Sequence, residues 1–472
     1  MKRYVSELSG LAVGATVELA GWVHVRRNMG KLVFFDLRDS TGLVQIVCVP
    51  SELSSESAVA AGRLRPEFVV QVTGVIQKRG DKQVNPAIPT GTIEILAKDV
   101  VVLSQAKTPP FEIDNEDRQA HEELRLKHRY LDLRHERMAR IIRERHKIMQ
   151  FVRNYLTDKR FVEIQTPILS KSTPEGARDY LVPSRLQRGK FFALPQSPQQ
   201  YKQLLMVAGF ERYFQIAPCF RDEDARADRS PGEFYQVDME MSFMSQDEIL
   251  QLTEAMFVSL VTSLYPDKKI MQTPFPRLNY ADVMKQYGSD KPDLRKDKND
   301  PNELAFAWVV NFPLFVKQSK EDHFHGAGKT WAPSHHMFTA PHSDDVAKLD
   351  TDPGSARGLQ HDLVLNGFEV GGGSIRIHDA AIQQKVFDLI GFTKEQKKQF
   401  EHMLTAFEYG VPPHGGIAPG LDRLVMILMG EKNLREVTAF PLTNDGRDPM
   451  MDSPSVVEKE KLEELGLALK KK

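Results

Sequence analysis

The chain has few cysteines, no long hydrophobic run and almost no net charge. Its 472 residues include only Cys48 and Cys219 as cysteines, which excludes a disulfide framework and a cysteine zinc site and favours a reducing cytoplasm. Because no run of 18 apolar residues occurs, we expect no membrane contact, and residues 1–7 lack the apolar core of a signal peptide. The 63 Lys+Arg and 64 Asp+Glu nearly cancel, which excludes a wholly basic nucleic-acid coat but permits local basic faces.

What remains is the composition of an ordinary globular protein. Hydrophobic residues make up 41% and charged residues 27%, which provides ample material for a packed core. At ~100–200 residues per domain, the length predicts two to four domains.

The first hundred residues predict a small all-β domain. Runs rich in β-branched and aromatic residues alternate with turn residues, and five short strands suggest a closed barrel because closure removes exposed edges. Phe34 and Phe35 are neighbours on one strand, so one of them must face the core. The predicted strands cover residues 17–25, 31–37, 43–48, 68–76 and 91–96.

The rest of the chain predicts an α+β domain built on an antiparallel sheet flanked by helices. Residues 121–160 contain 12 Lys+Arg and 6 Asp+Glu, and their apolar residues recur at three- and four-residue intervals. This pattern indicates an amphipathic helix whose basic outer face is either solvated or turned toward nucleic acid. Further along we expect single strands at 362–370 and 374–377 and one helix over 394–409.

Two segments could bind phosphate. Residues 220–238 predict a hairpin with Arg221 and Glu223 at one end, and arginine binds phosphate through bidentate, charge-assisted hydrogen bonds. The glycine-rich run before Arg423 leads into an apolar helix, and a helix start with backbone donors suits a phosphate. The alternatives are a solvated salt-bridge loop and an ordinary glycine-rich connector.

A third segment could bind a metal. Asp362 and Glu369 could supply oxygen ligands to a magnesium ion that bridges a polyphosphate. The three successive glycines that follow them suggest a close approach to backbone or ligand. A flexible glycine hairpin with surface charges is the alternative.

Together these segments resemble the class II aminoacyl-tRNA synthetases through three signature motifs in the right order. The motifs are residues 161–169, 220–238 and 415–423. The wording of three further segments is similar to the bacterial type of aspartyl-tRNA synthetases: residues 172–180, 197–203 and 371–378. Arg160 departs from the family pattern, because a glycine usually stands before the first motif.

The resemblance implies a domain organisation. An OB-fold anticodon-binding barrel would cover residues 1–105, a linker or hinge 106–135, and the class II catalytic domain 136–472. The insertion domain that bacterial relatives carry between the second and third motifs would be reduced here to a short loop near 291–304. The first motif also implies a homodimer.

The resemblance further implies a two-step reaction. Aspartate and ATP would form aspartyl-adenylate and pyrophosphate, and the 3′ end of tRNA(Asp) would then take the aspartyl group. Whether tRNA(Asn) is also charged stays open. Magnesium would accompany ATP, without zinc. The protein's contribution would be positioning and electrostatics.

Each role falls on residues that match the family's motifs. The implied catalytic residues are Arg221, Arg423 and Glu369. The implied aspartate-binding residues are Glu175, Gln199, Lys202, Arg221, Asp238, His335, His336 and Arg376. The implied ATP-binding residues are Arg221, Asp222, Glu223, Ser230, Glu369, Gly420, Leu421, Asp422 and Arg423. Asp362 and Glu369 would hold the metal, and the implied tRNA-binding residues of the barrel are Arg27, Phe34, Gln45 and Glu94.

Three other functions compete with this interpretation. An asparaginyl- or lysyl-tRNA synthetase is disfavoured because Arg376 and Lys202 suit an acidic side chain. A tRNA-independent paralogue that amidates aspartate would normally lack the barrel. A catalytically dead nucleic-acid-binding protein would be expected to lose at least one residue of a set that is complete here: Arg221, Glu223, Glu369 and Arg423.

Overall fold

The computed structural model describes residues 2–30, 32–113, 119–173, 177–318 and 330–470. Within it the chain forms two compact units, residues 1–121 and 122–472. No helix in the described part of the chain is long and apolar enough to cross a membrane.

The first unit is the predicted five-stranded closed barrel, with strand order β1-β2-β3-β5-β4. Alternate residues of each strand face its core. On β2, Phe35 and Leu37 are fully buried, while Phe34 is only half-buried. Phe35, not Phe34, is therefore the inward-facing phenylalanine. The elements are β1 (Thr16–Met29), β2 (Leu32–Arg38), β3 (Leu43–Cys48), α1 (Ser55–Arg63), β4 (Val69–Lys78) and β5 (Ile93–Ser104).

The second unit is built on an eight-stranded sheet, mostly antiparallel, with strand order β12-β14-β17-β18-β19-β10-β9-β6. The strands of the whole unit are β6 (Val162–Glu163), β7 (Leu181–Pro183), β8 (Phe191–Ala193), β9 (Arg212–Arg221), β10 (Gly232–Ser242), β11 (Lys269–Ile270), β12 (Arg277–Asn279), β13 (Glu303–Leu304), β14 (Phe306–Val310), β15 (Phe315–Lys317), β16 (Trp331–Pro333), β17 (Gln360–Leu365), β18 (Phe368–Ile375) and β19 (His414–Pro419). Outside the large sheet, β7 pairs with β8, β11 with β13, and β15 with β16.

The helices of the second unit are α2 (Glu122–Lys127), α3 (Arg129–Asp132), α4 (Glu136–Asp158), α5 (Gln199–Val207), α6 (Gln246–Leu264), α7 (Tyr280–Tyr287), α8 (Lys348–Thr351), α9 (Ala380–Leu389), α10 (Lys394–Lys398), α11 (Glu401–Phe407), α12 (Leu421–Leu428) and α13 (Lys459–Leu465).

Helix α4 is the predicted amphipathic helix, and it precedes the first motif. Its apolar stripe is buried, from Met138 through Ile148 to Leu156. The helix ends at Asp158 with Lys159 as its C-cap, and Arg160 then adopts a φ of 67°. This left-handed conformation is least strained in glycine, which explains why glycine is usual before the first motif.

Two secondary-structure predictions are wrong. The single strand expected at 362–370 is two strands, because Asn366 and Gly367 adopt φ values of 53° and 86° and reverse the chain. The three glycines after it lie inside β18. The helix expected over 394–409 is divided into α10 and α11, with the fully buried Phe400 at the break.

Candidate active site

A charged hairpin forms one wall of the site. Strands β9 and β10 pair so that Arg221 lies opposite Gly232, and the loop between them carries the charged residues that the sequence predicts. The Arg221 guanidinium lies 5.0 Å from the centre of the Phe234 ring, and Glu223 pairs with Arg229 at 3.0 Å. The hairpin therefore holds the Arg221 guanidinium over the Phe234 ring, and a guanidinium in this place can bind a phosphate.

Arg423 lies in the first turn of α12, where it contacts both the hairpin loop and β18. Its Nη2 donates to the Asp228 carbonyl oxygen at 3.0 Å, and its Nη1 donates to the carbonyl oxygen of Glu369. Nη1 also lies 3.8 Å from the Glu369 carboxylate. These contacts fix a cation between the hairpin loop and β18.

Asp422 connects α12 to β10. Its Oδ2 accepts from the Tyr235 backbone N–H at 2.8 Å, and its other carboxylate oxygen pairs with Arg145 of α4. The Arg145 guanidinium lies 5.6 Å from the centre of the Tyr235 ring. Helix α4 thus helps to hold the strand that faces the cleft.

An open cleft of about 680 Å³ lies among these elements. Of the residues predicted to bind ATP, it is lined by Arg221, Glu223, Ser230, Glu369, Gly420, Asp422 and Arg423. Leu421 and Asp222 do not line it. The Leu421 side chain is fully buried in the core, and the Asp222 backbone N–H donates to the Arg178 carbonyl oxygen at 3.0 Å.

A second pocket shares Arg221 and Glu223 with the cleft. Its lining includes Gln199, His335 and His336 from the predicted aspartate-binding set. Glu175, from the same set, lies outside the described residues. The two pockets meet at Arg221, so ligands in both would approach the same guanidinium.

Behind this pocket lies a buried cluster of two cations and two carboxylates. Lys202 Nζ lies 2.5 Å from Asp238 Oδ1 and 3.4 Å from Glu240 Oε2. Arg376 forms a bidentate pair with Glu240, with Nε and Nη2 at 2.9 and 3.1 Å from its two oxygens. Arg376 Nη1 also contacts His336 Nε2 at 2.7 Å, which links the cluster to the pocket.

The electrostatics of the cluster follow from burial and from these pairs. Burial alone would raise the pKa of Glu240, but Arg376 and Lys202 lower it to about 2. Burial raises the pKa of Asp238, and Lys202 only partly offsets this effect. Burial and the nearby Arg376 lower the pKa of His335 to about 3, so that imidazole is neutral at pH 7.

Two buried polar atoms, one in the cluster and one in the pocket lining, are left for a ligand. Within the described residues, neither Gln199 Nε2 nor Asp238 Oδ2 has a hydrogen-bond partner, although both atoms are buried. A buried polar atom without a partner costs free energy. An amino-acid ligand with an ammonium group could supply a donor to Asp238, and its carboxylate could accept from Gln199.

Glu240 is absent from the residues predicted from sequence. The sequence nevertheless contains a signal for it. Residues two apart on a strand share a face, so a strand that carries Asp238 also places Glu240 on the same side. Glu240 also explains a glycine of the third motif, since a Cβ on Gly416 would lie 2.1 Å from Glu240 Oε2. Only glycine leaves room for the carboxylate that holds Arg376.

Asp362 and Glu369 meet across the β17–β18 hairpin. A Cβ on Gly372 would lie 3.2 Å from Asp362 Oδ1 and 3.4 Å from Glu369 Oε1, so the two carboxylates flank one glycine. Burial and the Glu369 charge raise the pKa of Asp362 well above its usual range. Two repelling carboxylate groups fit a divalent cation with oxygen ligands. No group of three or more His, Cys, Asp or Glu side chains arranged for a metal occurs in the described ranges.

The four predicted tRNA-binding residues lie together on one face of the barrel. Arg27 lies opposite Phe34 in the β1–β2 register and donates to Gln45 Oε1 at 3.3 Å. Gln45 in turn donates to Glu94 Oε2 at 2.8 Å. An exposed aromatic edge beside polar side chains can stack one base and bond to the edges of others.

Comparisons with known proteins agree with this fold and site. A family model described as tRNA synthetases class II (D, K and N) matches residues 121–444, and one described as an OB-fold nucleic acid binding domain matches residues 17–103. The chain belongs to the class II tRNA synthetases (D, K and N).

Curated relatives extend the match over nearly the whole chain. An aspartate–tRNA(Asp/Asn) ligase of Rubrobacter xylanophilus is 42% identical over 98% of this chain and 96% of its own length. An aspartate–tRNA ligase of Bacillus licheniformis is 40% identical over 99% and 98%. The first alignment spans 587 positions, more than the 472 residues of this chain, so that relative contains residues with no counterpart here.

Solved structures share the fold. Asparaginyl-tRNA synthetase from Pyrococcus horikoshii, complexed with asparaginyl-adenylate, covers 93% of this chain and 98% of its own with a TM-score of 0.74 and 23% identity. Aspartyl tRNA synthetase from Entamoeba histolytica covers 93% and 91% with a TM-score of 0.70 and 23% identity.

Proposed function

We propose that the chain is an aspartate–tRNA ligase that forms aspartyl-adenylate from aspartate and ATP and then charges tRNA(Asp). The observation that carries this proposal is the buried Lys202–Asp238 and Arg376–Glu240 cluster behind a pocket that meets the nucleotide cleft at Arg221. The curated relatives with this activity in their names support it.

In the first step, aspartate would lie in the pocket and ATP in the cleft. Lys202 and Arg376 would face the side-chain carboxylate, while Asp238 Oδ2 would accept from the ammonium group. The neutral His336 fits this role, because its contact with Arg376 fixes the guanidinium without adding another charge. The cluster thus favours an acidic over a neutral side chain.

Arg221 would then hold the α-phosphate as the aspartate carboxylate attacks. Its position at the junction of both pockets supports this role. Glu223 would contact the adenine side, and Arg423 would bind the terminal phosphates. Arg221 and Arg423 would lower the barrier by neutralising the negative charge that grows on the phosphate oxygens.

Asp362 and Glu369 would hold magnesium with the polyphosphate. Magnesium supplies charge neutralisation of the phosphates when bound. The electrostatic repulsion between the two carboxylates, which raises the pKa of Asp362, supports this assignment.

Three further properties belong to the same proposal. Homodimer formation is supported by the edge position of β6 and by the exposure of Val162, Ile168 and Leu169. A cytoplasmic location accords with two buried free thiols, Cys48 and Cys219. Charging of tRNA(Asn) as a second acceptor is favoured by the names of several relatives.

The direct test is amino-acid-dependent ATP–pyrophosphate exchange with aspartate, asparagine and lysine supplied separately. We expect exchange with aspartate and at least tenfold less with the other two. Exchange with asparagine or lysine as the preferred substrate would contradict the assignment of the pocket.

A further inference from the structure

A lysine outside the residues assigned above reaches the metal-binding carboxylates. Lys291 Nζ lies 3.7 Å from Glu369 Oε2, and both side chains are partly exposed, at 39% and 33%. Arg423 Nη1 lies 3.8 Å from the same Glu369 oxygen. Glu369 therefore has a cation on each of two chain segments, and only one of them belongs to a signature motif.

The segment that carries Lys291 is held against the β17–β18 hairpin. The Lys291 backbone N–H donates to Ser289 Oγ at 3.1 Å. Asp293 receives Arg295 Nε and Nη2 at 3.0 and 2.8 Å, and its Cβ lies 3.3 Å from where a Cβ on Gly367 would be. The segment thus meets the turn of the hairpin at Asp293, and Lys291 extends a partly exposed side chain to Glu369.

We infer that Lys291 is a further pyrophosphate-binding residue, which pairs with Glu369 when no phosphate is present and with the pyrophosphate group when one is. This inference rests on the proposed function. In that reaction the aspartate carboxylate oxygen forms a bond to the α-phosphorus, and the bond from that phosphorus to the bridging oxygen breaks. The electron pair leaves with pyrophosphate, whose growing charge an ammonium group can neutralise.

The properties of lysine suit this exchange of partners. Its ammonium is a point charge with three donors on a flexible four-carbon stem. A half-exposed ion pair is weak, so Glu369 gives up Lys291 easily to a multivalent anion. Because Lys291 and a divalent metal both bind Glu369, they compete for that carboxylate, whereas Lys291 and pyrophosphate attract each other.

This competition gives an experimental signature of opposite signs. In Lys291→Ala, Mn²⁺ should bind the nucleotide-free protein about two- to fivefold more tightly, because a competing cation is lost. Pyrophosphate should bind the Mn²⁺-saturated protein about tenfold more weakly, because a charge-assisted contact is lost. Free Mn²⁺ is measured by electron paramagnetic resonance and pyrophosphate binding by titration calorimetry.

Two variants serve as controls. Lys296→Ala removes the same charge from an exposed position of the same segment and should change neither affinity. Lys291→Arg keeps the charge and should retain most of the wild-type affinity for pyrophosphate.

The outcomes separate this inference from the proposed function. The role of Lys291 alone would be overturned if the wild type binds Mn²⁺ and pyrophosphate and Lys291→Ala binds both ligands with unchanged or lower affinity. A wild-type protein that binds no pyrophosphate would overturn the proposed function and the role of Lys291 with it.

Discussion

Arg376→Leu removes the cation that we assign to the aspartate side chain. In the structure Arg376 is buried and gives Glu240 two hydrogen bonds, so its loss leaves a buried carboxylate with Lys202 as its remaining cation at 3.4 Å. Breaking a buried ion pair from one side costs about 3–5 kcal/mol of the free energy of unfolding. The single variant is therefore expected to be less stable as well as inactive.

A double variant separates these two effects. Arg376→Leu with Glu240→Leu removes both members of the pair, and replacing a buried pair by apolar residues is often neutral for stability. Aspartate activation should nevertheless stay defective, because the substrate carboxylate loses its partner. A lost buried charge pair costs about 2–5 kcal/mol, which corresponds to about 30-fold to several thousandfold in kcat/KM.

The assay compares three measurements on the same samples. Thermal unfolding should show a loss in the single variant that the double variant largely recovers. Aspartate-dependent pyrophosphate exchange should be lost in both, while ATP binding by equilibrium dialysis should change less than threefold because Arg376 does not line the nucleotide cleft. Aspartate kinetics within threefold of wild type in a folded variant would refute the assignment.

Four other predictions follow from the structure. The Glu240 pKa of about 2 lies below its ordinary 4.5, so the stabilisation by this carboxylate is complete above about pH 4.5 and is lost as the pH falls toward 2. It contributes about 3 kcal/mol to the free energy of unfolding, and Glu240→Gln should flatten this part of the stability profile in denaturant titrations. Phe34→Ala should raise the tRNA dissociation constant about 5- to 100-fold in filter binding by removing a base-stacking ring, whereas Val101→Ala, at an exposed barrel position, should not. Asp362→Asn should relieve repulsion with a neighbouring carboxylate and raise the free energy of unfolding by about 1 kcal/mol while weakening Mn²⁺ binding at least tenfold. The protein should sediment as a dimer at nanomolar concentration, and Ile168→Asp should yield the 53.6 kDa monomer.

Each of these predictions has an outcome that contradicts it. If the free energy of unfolding of Glu240→Gln changes with pH in parallel with that of the wild type, the low pKa of Glu240 is contradicted. Equal tRNA affinities for the two barrel variants would assign Phe34 to packing alone. An Asp362→Asn variant with unchanged Mn²⁺ binding would dismiss that carboxylate as a ligand, and a wild-type monomer would end the dimer proposal.

Local chemistry predicts much of the fold. The barrel strands and α4 were predictable because β-branched runs and a three- and four-residue apolar spacing are local signals. The turn between β17 and β18 was missed even though Asn366-Gly367 is a strong hairpin signal. The break before α11 follows from packing of Phe400 against Phe387 and Phe392, which no local pattern specifies.

The candidate site shows where sequence reasoning ends. The second and third motifs contain many of the residues that line the cleft. The pairs of the buried cluster, in contrast, join residues far apart in the sequence: Lys202 and Asp238 are separated by 36 positions, and Arg376 and Glu240 by 136. Such pairs depend on how β10, β18 and β19 align in the sheet. The place of Glu240 beside Asp238 was predictable from the strand, but its pairing with Arg376 became visible only in the structure.

The most direct test of the central claim is aminoacylation with labelled aspartate, ATP and magnesium, using tRNA(Asp) and tRNA(Asn) transcripts in separate reactions. We expect aspartate to be attached to tRNA(Asp), and charging of tRNA(Asn) as well would define a dual acceptor range. Failure to charge tRNA(Asp) in a sample that catalyses aspartate-dependent pyrophosphate exchange would contradict the ligase assignment and favour a tRNA-independent enzyme that activates aspartate.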